Sequence, residues 1–390
     1  MDGKSTNAGA QDAGVLAAGA AGWGCSLLPL SDASALADEW RTLEQIAEPS
    51  FFLSWDWIGC WLTSLPPDRR PLVLRVRDGD STIGLALLCR SDERWLGLLP
   101  RRTLRLHESG DTALDSLTIE YNGVLAPRTL RDAVLRHAVE WLLYEQPYDR
   151  VVLSGVPDGG LARVDVRRIA IGVRDAKPTY TVRLDTRANR SSEDGLMANL
   201  SSNTRGQLRR AIRQYEKLGP LRLVSAESID EALRMFDALA FLHQRYWQQR
   251  GRPGAFAEAT ITTFHRRLIA NCFAGRRVQL LEVFAGSSPI GYLYNFRHGP
   301  CVVSYQSGFD YDLVPRAKPG WVCHYLAMDM NGRDGASLYD LLAGHSQFKA
   351  SFGEPTTTLV WLVAERQDLL TSFEKALRGL KHLLTRQRTP

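Results

Sequence analysis

The first half of the chain switches between helical and extended apolar spacing. Residues 31–46 put Leu36, Trp40, Leu43 and Ile46 on one helical face, with Ser31 at the cap position. Residues 54–63 continue with Trp55, Trp57, Ile58 and Trp61, a cluster of the kind that packs a core. Two apolar runs at 71–76 and 82–88 are joined by Asp78-Gly79-Asp80, and Asp-Gly between apolar runs is a strong hairpin signal. Further strands are expected at 95–99 and 104–107. A helix follows at 130–144, where Val134, Ala138, Trp141 and Leu142 fall at helical spacing, and strands come at 151–153 and 180–184.

The polar run 188–195 reads as a linker. Residues 199–217 predict a basic helix. Ser228 with Glu231 makes a capping box for a helix to about residue 249, and 262–273 predicts a third. Runs at 278–284, 290–296 and 302–307 form a meander. A loop with Pro315, Arg316, Lys318, Pro319 and Gly320 comes next, then a helix over 321–330, a strand at 337–342, a tight turn at Gly344 and a last strand at 359–363. Residues 368–387 return to helical spacing with Leu369, Leu370, Phe373, Leu377, Leu380 and Leu384 on one face. This basic amphipathic helix is expected to dock on the protein, a membrane surface being the alternative. The two halves share an element order without a residue-level repeat. That predicts two lobes lying side by side with the linker between them, against one α/β domain carrying an N-terminal decoration.

The chain has 390 residues, 44% hydrophobic and 23% charged, an ordinary globular composition with room for two lobes. A formal net charge of +5 is too mild to argue for DNA binding. The six cysteines form no CxxC pair and have no zinc-like His spacing, so they read as reduced core thiols of a cytoplasmic protein, and no metal is expected. Residues 13–31 are uncharged but interrupted by glycines and Pro29. They read as a disordered Ala/Gly leader over 1–30 rather than a spanning helix, with a weak secretion signal as the alternative.

The loop at 315–320 is basic, contains glycine and opens a helix. Such a loop makes an anion site, because first-turn N–H groups lack helical partners and the helix dipole favours negative charge. It departs from both the GxxxxGK[ST] and GxGxxG patterns. Further on, Tyr339-Asp340-Leu341-Leu342-Ala343-Gly344, followed by Phe348-Lys349 and Phe352-Gly353, resembles the Y-D-F-x-G…[FY]-K-x-x-F-G signature. That signature belongs to Fem-type aminoacyl-tRNA transferases and to CelD-like (cellulose biosynthesis-associated) acyltransferases of the GNAT superfamily. Asn203-Thr204-Arg205…Arg209-Arg210 and His243…Trp247…Arg250-Gly251 match motifs of the CelD-like group. The resemblance covers the last half firmly and the first half loosely.

It implies an α/β fold, with a mixed α+β sheet, of tandem GNAT-like lobes at 31–187 and 196–365, followed by a tail at 366–390. It implies an acyltransferase that takes acyl-CoA or acyl carrier protein as co-substrate, with no permanently bound cofactor, and a lipid, glycan or small-molecule amine or hydroxyl as acceptor. Transfer from aminoacyl-tRNA and a non-catalytic role in a polysaccharide-synthesis machine are the alternatives. A peripheral contact with the inner membrane is compatible with each.

Lys349, by the resemblance, lies near the reacting ester and stabilises the oxyanion, with Asp340 beside it in the signature. Tyr305 and Gln306 occupy the strand that meets the acyl donor, where ordinary strand packing is the other reading. Arg316, Lys318, Gly320 and Trp321 are the expected donor-phosphate residues, although Pro319 has no N–H to give. His243 is either a core histidine or the base, with His324 and His345 as competitors. Arg205 and Arg209 head a stripe completed by Arg213 and Lys217, whose like charges repel by about 0.2–0.5 kcal/mol per pair; an anionic ligand and a solvated face both stay open. Asp111, Glu120 and Asn122 form a polar cluster able to bind an acceptor amine, or a simple surface loop.

Overall fold

Antiparallel pairing of β1 (Trp23–Pro29) with β2 (Leu72–Asp78) begins a twelve-stranded sheet whose other edge is β7 (Leu221–Ser225). The computed structural model describes residues 22–95, 99–161, 163–184 and 195–367. Most of the expected leader, the linker except Gly195, the middle of the 95–99 strand and the helix at 368–387 lie outside those residues. Residues 23–29, expected as part of the leader, are instead an edge strand. Their neighbour β2 gives that backbone a full ladder of partners.

In chain order, β1 leads to α1 (Ala33–Ala47), α2 (Trp55–Leu62), β2, β3 (Ser81–Trp95), β4 (Leu99–Leu106), α3 (Arg131–Tyr144), β5 (Arg150–Pro157) and β6 (Ile169–Arg183). The second half places α4 (Ser202–Glu216) before β7. It then repeats the order with α5 (Ile229–Gln248), α6 (Ala259–Cys272), β8 (Val278–Ala285), β9 (Ser288–His298), β10 (Cys301–Phe309), α7 (Pro319–Arg333), β11 (Leu338–Ala343), a short α8 (Gln347–Phe352) and β12 (Glu354–Arg366). The sheet order is β1-β2-β3-β4-β5-β12-β6-β11-β10-β9-β8-β7. Read from either edge, the pairings are the same. β4 with β5 and β10 with β11 are the parallel pairs; the other pairings are antiparallel.

Each half gives its last strand to the other. β12 lies against β5, β6 lies against β11, and the two exchanged strands pair along Glu354–Arg366. The expected lobes lie at the two ends of a single sheet. They are halves of one sheet, and the exchange is the reason. Helices α1 and α2 share one face with α5 and α6 in a single aromatic core, where Phe51 stacks on Phe296 at 4.1 Å and Trp57 meets Phe264 at 4.9 Å. Trp40, Trp57 and Trp61 are buried there, as the tryptophan cluster predicts. The opposite face carries two separate cores, one under α3 and one under α4 and α7. Gly308 allows the close approach of α5 to β10, since a Cβ there would lie 2.3 Å from Leu239 O.

Local chemistry accounts for small differences from expectation. Asp32 rather than Ser31 caps α1, accepting from Ser34 N–H at 2.8 Å and Ala35 N–H at 3.0 Å. Ser228 accepts from Glu231 N–H as expected, and Glu231 returns a bond to Glu227 N–H.

Candidate active site

β10 and β11 pair over three residues, Cys301–Leu338, Val302–Tyr339 and Val303–Asp340. Past that point they part. β10 carries a bulge between Ser304 and Gln306, and β11 carries one between Asp340 and Ala343. Leu342, inside the second bulge, adopts φ +63°, a left-handed conformation costing a branched residue about 1–3 kcal/mol. Asp340 Oδ1 accepts Leu342 N–H at 2.7 Å and offsets part of that cost. A cavity of about 570 Å³ opens between the parted strands. Tyr305, Gln306, Lys318, Gly320, Trp321, Lys349 and Glu120 all line it. Most of the expected donor and transfer residues thus meet, and Glu120, expected as an acceptor contact, joins them from the first half.

Glu120 comes from the long loop between β4 and α3. Its Oε2 accepts Ala343 N–H at 2.7 Å across 223 residues of chain. Burial raises its carboxyl to about 7, against the lowering effects of that hydrogen bond and of Lys349. Lys349 Nζ donates to Ala343 O at 2.6 Å. Burial lowers the ammonium's pKa, and Glu120 and Asp340 oppose that. The signature around Lys349 follows from packing. Ser346 caps α8, Phe348 stacks on His324 at 4.6 Å, and Phe352 meets Trp321 at 5.2 Å, which turns Lys349 inward. Gly344 has φ +146°, and a Cβ there would stand 3.3 Å from Lys349 Nζ.

At the other end of the cavity Lys318 caps α7. Its ammonium lies 3.9 Å from the Trp321 ring centroid and donates to Gln207 of α4. Pro319 has no N–H, and Trp321 and Val322 N–H groups turn back to Lys318 O. Gly320 N–H is the first-turn donor left beside the cavity. Arg316 sits in the same loop at φ +66°, exposed and away from the cavity lining.

Other expected residues stand elsewhere. His243 does not face the cavity. Its Nε2 accepts Ala255 N–H at 3.2 Å, its Nδ1–H donates to Ser307 O at 3.1 Å, and burial lowers its pKa. Nδ1 ties α5 to β10 and Nε2 holds the loop that follows α5, the arrangement of a core histidine. Tyr305 lines the cavity, but its hydroxyl donates to Thr118 O at 3.3 Å and its ring belongs to the aromatic core. Asp340 is held by two donors, Leu342 N–H and Tyr121 O–H, the latter at 2.7 Å, and lies behind the cavity wall. Asp111 Oδ1 accepts from Ala113 and Leu114 N–H, capping a turn outside the cavity lining. Asn122 is buried between β4 and β5, outside the cavity lining. Arg205 and Arg209 are on α4, outside the cavity lining but on the helix whose Gln207 binds Lys318.

The cavity also contains residues that sequence reasoning did not place there: Thr118, Gln347 and Phe348. His324 lines it as a buried neutral imidazole, its pKa lowered to about 3 by burial and secondarily by Lys349. No local spacing links Thr118 or Glu120 to Lys349; only the shared sheet brings them together. Among the described residues no His/Cys/Asp/Glu group suits a metal ion, and no helix is long and apolar enough to cross a membrane.

Residues 202–350 match the family model of the acetyltransferase (GNAT) domain. No curated protein sequence matches the chain. Among solved structures the chain is similar to FemX, with TM-score 0.53 and 9% identity, covering 86% of this chain and 96% of that one. It is similar to the C-terminal domain of a protein named as a lysylphosphatidylglycerol synthetase from Agrobacterium fabrum, with TM-score 0.50, 10% identity and coverage of 89% and 96%. A conserved protein of unknown function from Bacteroides thetaiotaomicron VPI-5482 gives TM-score 0.50 and 12% identity over 85% and 97%. Residues 202–350 thus carry the match to a GNAT acetyltransferase domain, and the chain as a whole shares its fold with FemX.

Proposed function

We propose that this protein is an acyltransferase that moves an acyl group from a thioester, acyl-CoA or acyl carrier protein, to an amine or hydroxyl in a ternary complex. The observation that carries the reading is the meeting of Glu120 and Lys349 in the gap between β10 and β11. The thioester carbonyl lies in the gap, with backbone groups of residues 304–307 and the Lys349 ammonium beside it. The phosphate end of the donor lies at Lys318 and Gly320. The acceptor approaches from the side of Thr118 and Glu120. Its nucleophile adds to the carbonyl carbon while Glu120 takes the proton. The tetrahedral intermediate then expels the thiolate, which takes the proton from Glu120 and leaves as the thiol. A carboxyl with a pKa of about 7 suits a base working near neutral pH.

The acceptor is a lipid, glycan or small molecule, in a cytoplasmic setting or at the inner membrane. Arg205 and Arg209 add positive charge on the helix that holds Lys318. A second reading, transfer from aminoacyl-tRNA, is supported by the fold shared with FemX. Mass spectrometry of copurifying ligands, followed by a donor panel with and without RNase, tests both. Thiol release that depends on an added acceptor supports the first reading. RNase-sensitive transfer supports the second. A chain that neither binds nor consumes any donor counts against both readings and favours the non-catalytic alternative.

A further inference from the structure

Ala343 serves both sides of the site: its N–H holds Glu120 and its C=O holds Lys349. It stands one residue past the left-handed Leu342, so the direction of both groups depends on that bend. Asp340 is clamped there from two sides, by Leu342 N–H at Oδ1 and by Tyr121 O–H at Oδ2, both at 2.7 Å. Tyr121 follows Glu120 in the same loop. It is itself held in a left-handed conformation, φ +49°, with its carbonyl accepting from Ser50 Oγ at 3.1 Å. One loop therefore supplies Glu120 and also reaches the residue that shapes its partner.

We propose that Tyr121 and Asp340 are a positioning pair for the transfer: their hydrogen bond locks the bend at Leu342, and the bend aims Ala343 N–H at Glu120 and Ala343 C=O at Lys349. The inference rests on the reading of Glu120 as the base. Burial raises the Asp340 carboxyl, and the Tyr121 and Leu342 donors and the Lys349 ammonium oppose that in favour of the carboxylate. Burial raises the pKa of the Tyr121 hydroxyl, so it stays protonated and donates. The groups facing Glu120 are Lys349 on α8, Asp340 on β11, Lys177 on β6 and the neutral Tyr305 on β10. Asp340 also faces Lys349 and the neutral thiol of Cys301. Two carboxylates thus share a buried space with the Lys349 ammonium. The charge of Asp340 makes Glu120 harder to ionise and Lys349 harder to deprotonate. Removing that charge moves both groups toward lower pH.

The test is infrared difference titration of the carboxyl band on the intact chain, which needs no substrate. In the unaltered protein a band titrates near pH 7, and Glu120→Gln removes it. In Asp340→Asn the Glu120 midpoint is expected to fall by about one pH unit. In Tyr121→Phe, where Asp340 takes up a proton more readily, it falls in the same direction by less. With an active donor, both limbs of the rate profile move to lower pH in Asp340→Asn, and kcat falls more than KM changes. If Asp340→Asn does not fold, Tyr121→Phe decides alone. A Glu120 titration indifferent to the folded variants overturns the positioning pair and leaves the base reading standing. A shifted titration in a protein that transfers from no donor supports the pair and counts against the acyltransferase reading.

Discussion

The two halves build the same pair of parting parallel strands and finish them in opposite ways. β4 and β5 pair at Thr103–Arg150, Leu104–Val151 and Arg105–Val152, then separate as β10 and β11 do. In the first half Asn122 fills the gap. Its Nδ2 donates to Leu106 O at 3.2 Å and Ser154 O at 3.0 Å, and its Oδ1 accepts from His107 Nδ1 at 2.7 Å. His107 is fully buried, with its pKa lowered to about 4 by burial, so it stays neutral and silent at working pH. In the second half the gap is open, and it holds a carboxyl with a pKa of about 7 beside an ammonium. The loop that plugs the first gap carries Glu120 two residues from the plug. The two halves thus repeat one strand arrangement, filled by Asn122 in the first and open in the second, and the loop of the filled half reaches the open one through Glu120.

The sharpest test of that contrast is Glu120→Gln. The amide keeps an acceptor for Ala343 N–H but cannot take a proton, so turnover is expected to fall about 10²–10⁴-fold with little change in Tm. In the unaltered protein activity is expected to rise with pH through about 7 as the carboxyl ionises. Because the folded pKa lies above the unfolded value, near 4.3, the same group stabilises the fold at low pH. That contribution is lost as pH rises through about 7, and denaturant titrations of Glu120→Gln should lack it. Full turnover in this variant would reduce the open half to another structural copy.

Lys349→Met ranks next. A fall in turnover of about 10²–10³-fold with donor affinity within a few fold is the expected result of losing an oxyanion partner. Unaltered turnover would make the lysine a structural tie to Ala343.

On the closed side, Asn122→Ala should cost about 1–3 kcal/mol in urea unfolding, because Leu106 O, Ser154 O and His107 lose a buried partner. An unchanged midpoint would show that water replaces the plug and that the halves differ less than their geometry implies.

The smallest effect separates two residues of one loop. Lys318→Ala should weaken donor binding by about tenfold in calorimetry, as for loss of one charge-assisted hydrogen bond, while Arg316→Ala leaves it unchanged. Equal effects would move the phosphate end outward, over the exposed surface of the loop.

Local patterns along the chain account for the elements and for the placing of Lys349. Apolar periodicity marked the helices and the hairpin at Asp78-Gly79-Asp80, because burial of one face forces spacing of 3.6 or 2. The run from Tyr339 to Gly353 marked Lys349, because the turn, the cap and the two phenylalanines that place it lie within a few residues of one another. Only the tertiary structure decided the rest. The exchange of β6 and β12 depends on pairings nearly two hundred residues apart, which no local pattern encodes. His243 has the spacing of a core residue and the look of a base, and two backbone partners from distant strand and loop chose the first. Glu120 and Asn122 sit two positions apart in one polar loop. One became the candidate base and the other a plug, because chain folding put a strand gap against each, one open and one filled.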